Sequence, residues 1–186
     1  MRSNFRRLAG VATALALTAG LGACASAARP EAMVVLPSTT SAVVEGDFGY
    51  KSLRIINISG GTDTNPLLWS EVSSGAFRQA LEDSLRVSGY LGSSETAPLQ
   101  LTASLMDLRK PLAGFDLSVT SVARYTVRDA SGEIIFDDTV SAVGTAKLGE
   151  SFMAVERLRL ANEYAIRENI KSFIERFRAQ TRPAAQ

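Results

Sequence analysis

The chain contains no histidine and a single cysteine among its 186 residues. Without an imidazole there is no Ser-His-Asp or Cys-His arrangement to take a proton from a nucleophile near neutral pH. One thiol makes no internal disulfide, and without Cys/His sets there is no framework for zinc, haem or iron-sulfur ligation. No catalytic residue, metal site or cofactor site is therefore expected. Basic charge is scarce where a nucleic-acid binder needs it. Arg2, Arg6 and Arg7 lie in the first seven residues and no acidic residue precedes Cys24, so beyond that point seventeen bases face nineteen acids. Such a body lacks the positive surface that displaces counterions from phosphate. What is present is an ordinary globular share of hydrophobic residues, 46%, in a chain of single-domain length.

MRSNFRR is a short basic start, and LAGVATALALTAG follows as an uncharged run rich in Ala and Leu. The run is shorter than the roughly 20 residues of a spanning helix, and the pattern is that of an export signal. It ends at Leu21-Gly22-Ala23-Cys24, which resembles the bacterial lipobox. The resemblance implies cleavage between Ala23 and Cys24 and a mature protein that starts at Cys24, with acyl chains such as palmitate on its sulfur and amine. An ordinary secretory signal, cut after Ala23 or after Ala25-Ser26-Ala27, is the alternative. One acyl chain holds a protein to a bilayer marginally, at about 0.8 kcal/mol per buried methylene, whereas two or three hold it nearly permanently. Ala25 stands where an aspartate would retain a Gram-negative lipoprotein in the inner membrane, which favours the periplasmic face of the outer membrane.

Residues 24–49 form the lipidated start and a tether that becomes partly ordered, with short apolar patches at 33–36 and 42–44 that could add edge strands. The domain proper is expected over 50–180, with 181–186 frayed. LRIINIS (53–59), closed by Gly60-Gly61, has the character of a buried strand. Gly60-Gly61-Thr62-Asp63 lacks the glycine spacing and the lysine of a phosphate loop and is a turn. Asn65-Pro66 offers an N-cap and an N1 proline for an amphipathic helix ending at Gly89, with Trp69 on its packed side and ligand stacking as that residue's alternative role. Leu99 to Met106 alternates as a strand. Phe115 to Val127 alternates again, and after the Asp129-to-Gly132 turn Glu133 to Val143 pairs back. A last helix spans Phe152 to Arg178, with Glu163 and Arg167, Glu168 and Lys171, and Glu175 and Arg178 as weak ion pairs on a solvated face. The order predicts an α+β two-layer sandwich, β-α-β-β-β-α, in which both helices cover one face of a four-stranded, mainly antiparallel sheet.

Carboxylates are the only acid/base material: Asp107, Asp116, Glu133, Asp137 and Asp138. Asp137 and Asp138 are strand neighbours and point to opposite faces. Asp107 and Asp116 flank one connection and are the pair a carboxylate-dependent cell-wall hydrolase would use. Arg159-Leu160-Ala161-Asn162 loosely resembles the cell-wall-clamping helix of OmpA-type domains, the basis of a peptidoglycan-binding alternative, although the rest of that signature is missing. With the lipobox, FRQALEDSLRVSGYL, LQLTASLMDLRK, FDLSVTSVARYTVRDASGEIIFDDTVSA and ERLRLANEYAIRENIKSFIERF, the chain resembles small Gram-negative lipoproteins of the YajG type. It is similar in layout to the auxiliary lipoproteins of lipid-transport ABC systems. Over 66–178 this implies a non-enzymatic envelope protein, anchored to the membrane by N-terminal acyl chains, that binds an envelope protein partner and contacts lipid or peptidoglycan.

Overall fold

The computed structural model describes residues 25–37, 42–65, 69–111 and 114–181. Four strands, β1 (Leu53–Gly60), β2 (Leu99–Arg109), β3 (Leu117–Arg128) and β4 (Ile134–Ala146), form one sheet in the order β1-β2-β3-β4. Helix α1 (Ser74–Val87) lies between β1 and β2 in the chain, and α2 (Ala154–Thr181) follows β4. The β1–α1–β2 crossover makes β1 and β2 parallel, while the other two pairings are antiparallel. This is the expected two-layer α+β sandwich. Period-two alternation sends Val119, Ser121, Ala123, Tyr125 and Val127 of β3 to the helix side and leaves Ser118, Thr120, Val122, Arg124, Thr126 and Arg128 on the other. The β3–β4 turn is held by Asp129, whose Oδ1 accepts the N–H groups of Ser131 at 2.8 Å and Glu133 at 2.9 Å, and Gly132 takes the positive φ of 89°.

An aromatic cluster fills the core. Tyr125 stacks on Phe173 with ring centroids 4.2 Å apart, and Phe136 meets Phe173 and Phe177 edge-on at 5.6 Å each. Such pairs add about 0.5–1.5 kcal/mol each beyond area burial. A second, smaller cluster joins Leu117, Val119 and Ala146 to Leu158, Ala161 and Ala165 of α2. Between the two clusters α2 crosses β4 at Gly144, where the helix backbone occupies the space of a side chain.

Several expectations are corrected. Helix α1 starts at Ser74, and neither Asn65 nor residues 69–73 are helical, while Pro66 lies outside the described residues. Ser73 is the N-cap, its hydroxyl accepting the Ala76 N–H at 3.2 Å. Asn65 instead accepts the Trp69 N–H through its carbonyl at 3.2 Å, and Thr64 exchanges hydrogen bonds with the Glu71 backbone, so this stretch closes as a loop before the helix. Trp69 consequently lies on that loop and is 54% exposed rather than packed. Phe115 precedes β3 instead of joining its buried face and is 80% exposed.

The expected tether is largely part of the body. Pro30–Met33 forms a 3-10 turn, as an N1 proline permits, and neither apolar patch is a strand. Met33, Val35 and Val43 enter the main core. The Val35 N–H donates to Ser84 Oγ at 2.9 Å, and the Val43 N–H donates to the Ser88 carbonyl at 3.0 Å. The N-terminal segment therefore runs beside α1 toward that helix's C-terminal end.

The solvated face expected along α2 is confined to its later turns. Glu168 and Lys171 are paired at 3.7 Å. Glu163 is buried and binds Arg159 and Arg29 rather than Arg167. The N-terminal segment covers what periodicity alone assigns to solvent.

Candidate functional site

Because both helices pack on one side, the other face of the sheet is uncovered. It mixes short polar residues, Thr102 and Ser104 of β2, Thr120 and Thr126 of β3, Thr139, Ser141 and Thr145 of β4, with the apolar Val122 of β3 and Val143 of β4, the latter 56% exposed. At one corner Arg124 grips Asp137 across the β3–β4 pair, with Nε on Oδ1 at 2.9 Å and Nη2 on Oδ2 at 2.6 Å. Thr126 donates to the same Oδ1 at 2.9 Å. These hydrogen bonds, Arg124's first and Thr126's second, hold the Asp137 carboxyl down at about 2, and the Arg124 guanidinium is pushed up in return. Thr102, Ser104, Arg128 and Ile134 complete a shallow depression of about 290 Å³ around the pair. The fork of Arg124 and the Thr126 hydroxyl are both engaged by Asp137, so the arrangement is an internally paired, fixed polar feature on the open face, with Arg128 as the further cation beside it. Asp137 stays ionised at neutral pH and is an acceptor only.

The remaining acidic candidates are dispersed. Asp138 points to the helix side and pairs with Arg176 at 2.8 Å, so Asp137 and Asp138 do face opposite ways. Asp107, at the bulge of β2, pairs with Arg109 at 2.7 Å. Asp116 accepts the Leu148 N–H at 2.9 Å and ties the β2–β3 loop to the turn after β4. Glu133 contributes its backbone N–H to the Asp129 turn. Among the described residues no three acidic side chains gather as a metal-binding group.

A second polar assembly sits where the N-terminal segment meets α2. The Arg29 N–H donates to Glu163 Oε1 at 2.9 Å, and Arg159 bridges Glu163 and Glu156. Asn162 Nδ2 donates to the Ser70 carbonyl at 2.8 Å, fastening the β1–α1 loop to the same helix. Sequence periodicity misses this assembly, since nothing local marks Arg29 as the partner of a glutamate 134 residues away. The Arg159-to-Asn162 turn is thus committed to interior contacts. Leu21, Gly22, Ala23 and Cys24, the lipobox residues, lie outside the described residues. No described helix is long and apolar enough to cross a membrane.

No family model matches the chain, and no curated protein matches its sequence. The fold is similar to that of protein XCC0632 from Xanthomonas campestris, described as a DUF330 protein. The TM-score is 0.60 at 10% identity, over 83% of this chain and 95% of that one. A minor lipoprotein from Acinetobacter baumannii aligns less closely, with a TM-score of 0.48 at 13% identity, over 73% of this chain and 98% of that one. At such identities the first likeness establishes a common fold, and the second adds nothing to it.

Proposed function

We propose that the protein is an envelope lipoprotein, held at the periplasmic face of the outer membrane by acyl chains on Cys24. There it serves as a non-enzymatic accessory or adaptor subunit of an envelope or lipid-transport assembly. The finer kinship, with the YajG type or with ABC-system auxiliary lipoproteins, rests on the sequence resemblance. The observation that carries the adaptor role is the uncovered sheet face. One side of the sheet holds the core, and the other offers a broad surface of Thr and Ser side chains with Val122 and Val143 among them and the fixed Arg124–Asp137 pair at one corner. A protein partner with complementary charge is the occupant that such a face suits. The cell-wall readings gain less support, because Arg159 and Asn162 are occupied inside the fold and Asp107 and Asp116 each hold a local partner.

The test places a photocrosslinking residue at Thr139 on the open face and, as a control, at Glu168 on α2. A discrete envelope-protein adduct is expected from position 139 and not from 168. Arg124→Glu, which sets a carboxylate against Asp137, should lower its yield about tenfold or more. Equal labelling from both positions, or an adduct indifferent to Arg124→Glu, contradicts the adaptor reading.

A further inference from the structure

Three separate loops bring large apolar side chains to one end of the molecule. Trp69 is on the loop between β1 and α1, Phe115 on the loop before β3, and Leu148, Phe152 and Met153 are on the connection from β4 to α2. Their proximity follows from the topology. The C-terminal ends of β1, β2 and β4 and the N-terminal ends of β3 and α2 all meet there. Leu117 pairs with Ala146, Arg109 pairs with Thr120, and Gly61 donates its N–H to the Leu105 carbonyl. Asp116 binds the Leu148 N–H, so the Phe115 and Phe152 loops are tied together. Phe152 is 89% exposed and Phe115 80%. Neither contributes to the core, and a soluble surface gains nothing by presenting them.

The start of the folded chain lies at the same end. The Ala28 N–H donates to the carbonyl of Glu71, two residues beyond Trp69, and Arg29 is clamped by Glu163 in the third turn of α2. Cys24 is four residue steps before Ala28, a reach of at most about 14 Å when fully extended. An acyl chain on Cys24 thus holds this end, and not the opposite one, against the bilayer. Of the neighbouring charges, Lys110 pairs with Glu71 and Arg109 with Asp107, while the Arg157 guanidinium donates to the Ser151 carbonyl at 2.7 Å.

We propose that the loop end bearing Trp69, Phe115 and Phe152 seats in the interfacial region of the leaflet that holds the Cys24 acyl chains, so that the body lies on the membrane instead of swinging from a tether. The proposal rests on lipidation of Cys24. Aromatic side chains favour this region because their rings are apolar and the indole N–H can remain hydrogen-bonded. Seated this way, the sheet stands with its strands directed away from the bilayer, and its open face stays accessible to a partner in the periplasm.

Trp69 is the only tryptophan in the chain and reports directly. Full-length lipidated protein is reconstituted in phosphatidylethanolamine/phosphatidylglycerol vesicles carrying brominated lipids. Trp69 emission should shift to the blue and be quenched, most strongly by bromines near the glycerol level. Phe115→Ser/Phe152→Ser should lose most of that shift and quenching, whereas Val44→Ser/Phe48→Ser near the C-terminal end of α1 should leave both unchanged. Acylated protein whose Trp69 emission ignores brominated lipid overturns the inference while lipidation stands. Emission shielded from acrylamide in native outer-membrane vesicles yet unquenched by brominated lipid overturns it too, by assigning this end to a protein. Absence of acyl chains, read by mass on the same sample, overturns the underlying assignment and the inference with it.

Discussion

Gly144→Ala is expected to lower the unfolding free energy by about 3 kcal/mol, the upper part of the range for overpacked sites. A Cβ there would lie 2.1 Å from the Ala165 nitrogen, 2.5 Å from the Ala161 carbonyl oxygen and 2.6 Å from the Tyr164 carbonyl carbon. All three are α2 backbone atoms. A side-chain neighbour could rotate aside, but a helix backbone has to move as a body. Retreat of α2 would also strain the bond from Ser121 Oγ to the Ala165 carbonyl, 2.9 Å long and buried. Against a total stability of about 5–15 kcal/mol this is a large loss. Urea unfolding of detergent-purified protein, followed by far-ultraviolet circular dichroism, should show a lower midpoint at an unchanged slope. A midpoint equal to that of the unsubstituted protein would show that α2 does not rest on Gly144.

Asn169→Ala is expected to cost a similar amount, about 3 kcal/mol, by a different route. Its amide sits in the core where α2 faces the sheet. Nδ2 donates to the Val140 carbonyl at 2.9 Å and the Ser121 hydroxyl at 3.2 Å, while Oδ1 accepts from the Tyr125 hydroxyl at 2.8 Å. Tyr125 is fully buried, and burial pushes its phenol far above the ordinary value, so the group must stay neutral and donate. Truncating Asn169 strands that hydroxyl, and an unsatisfied buried donor costs about 1–3 kcal/mol. The signature is therefore non-additive. In the Asn169→Ala background, Tyr125→Phe should restore about 1 kcal/mol, whereas in the unsubstituted protein the same change should destabilise. Thermal or urea unfolding of the four proteins closes the cycle. Additive losses would mean that the two groups do not act together.

The layers of this fold were legible in periodicity because alternation and three-and-four spacing report which residues a neighbouring layer covers. Val119 to Val127 and Ile166 to Phe177 are buried as their spacing requires. The failures share a cause, which is burial supplied by residues distant in the chain. Glu163 has the spacing of a solvent-facing residue, yet Arg29 and the N-terminal segment close over it. Asn65-Pro66 has the chemistry of a helix start, but Thr64 and Glu71 draw the chain into a loop first, and Ser73 supplies the cap. Met33, Val35 and Val43 lie in a stretch whose composition suggests a tether, and they count as core only once α1 offers Ser84 and Ser88 as backbone partners. Of the candidate surfaces, the polar face of β3 was visible as the other half of an alternation. The Arg124–Asp137 fork required the β3–β4 register, and the grouping of Trp69, Phe115 and Phe152 required the topology of the whole sheet.

The proposed accessory role divides labour by position: the N-terminus would place the protein, the loop end would seat it, and the open sheet face would receive a partner. Everything in that scheme depends on what becomes of Cys24. The most direct measurement is the intact mass and N-terminal peptide of the mature protein extracted from membranes, compared with its Cys24→Ser variant. The account predicts a chain that begins at Cys24 and carries acyl chains on its sulfur and amine, with the variant unacylated and retaining its first 23 residues. A mature chain beginning after Ala23 or Ala27 with no acyl mass would contradict it.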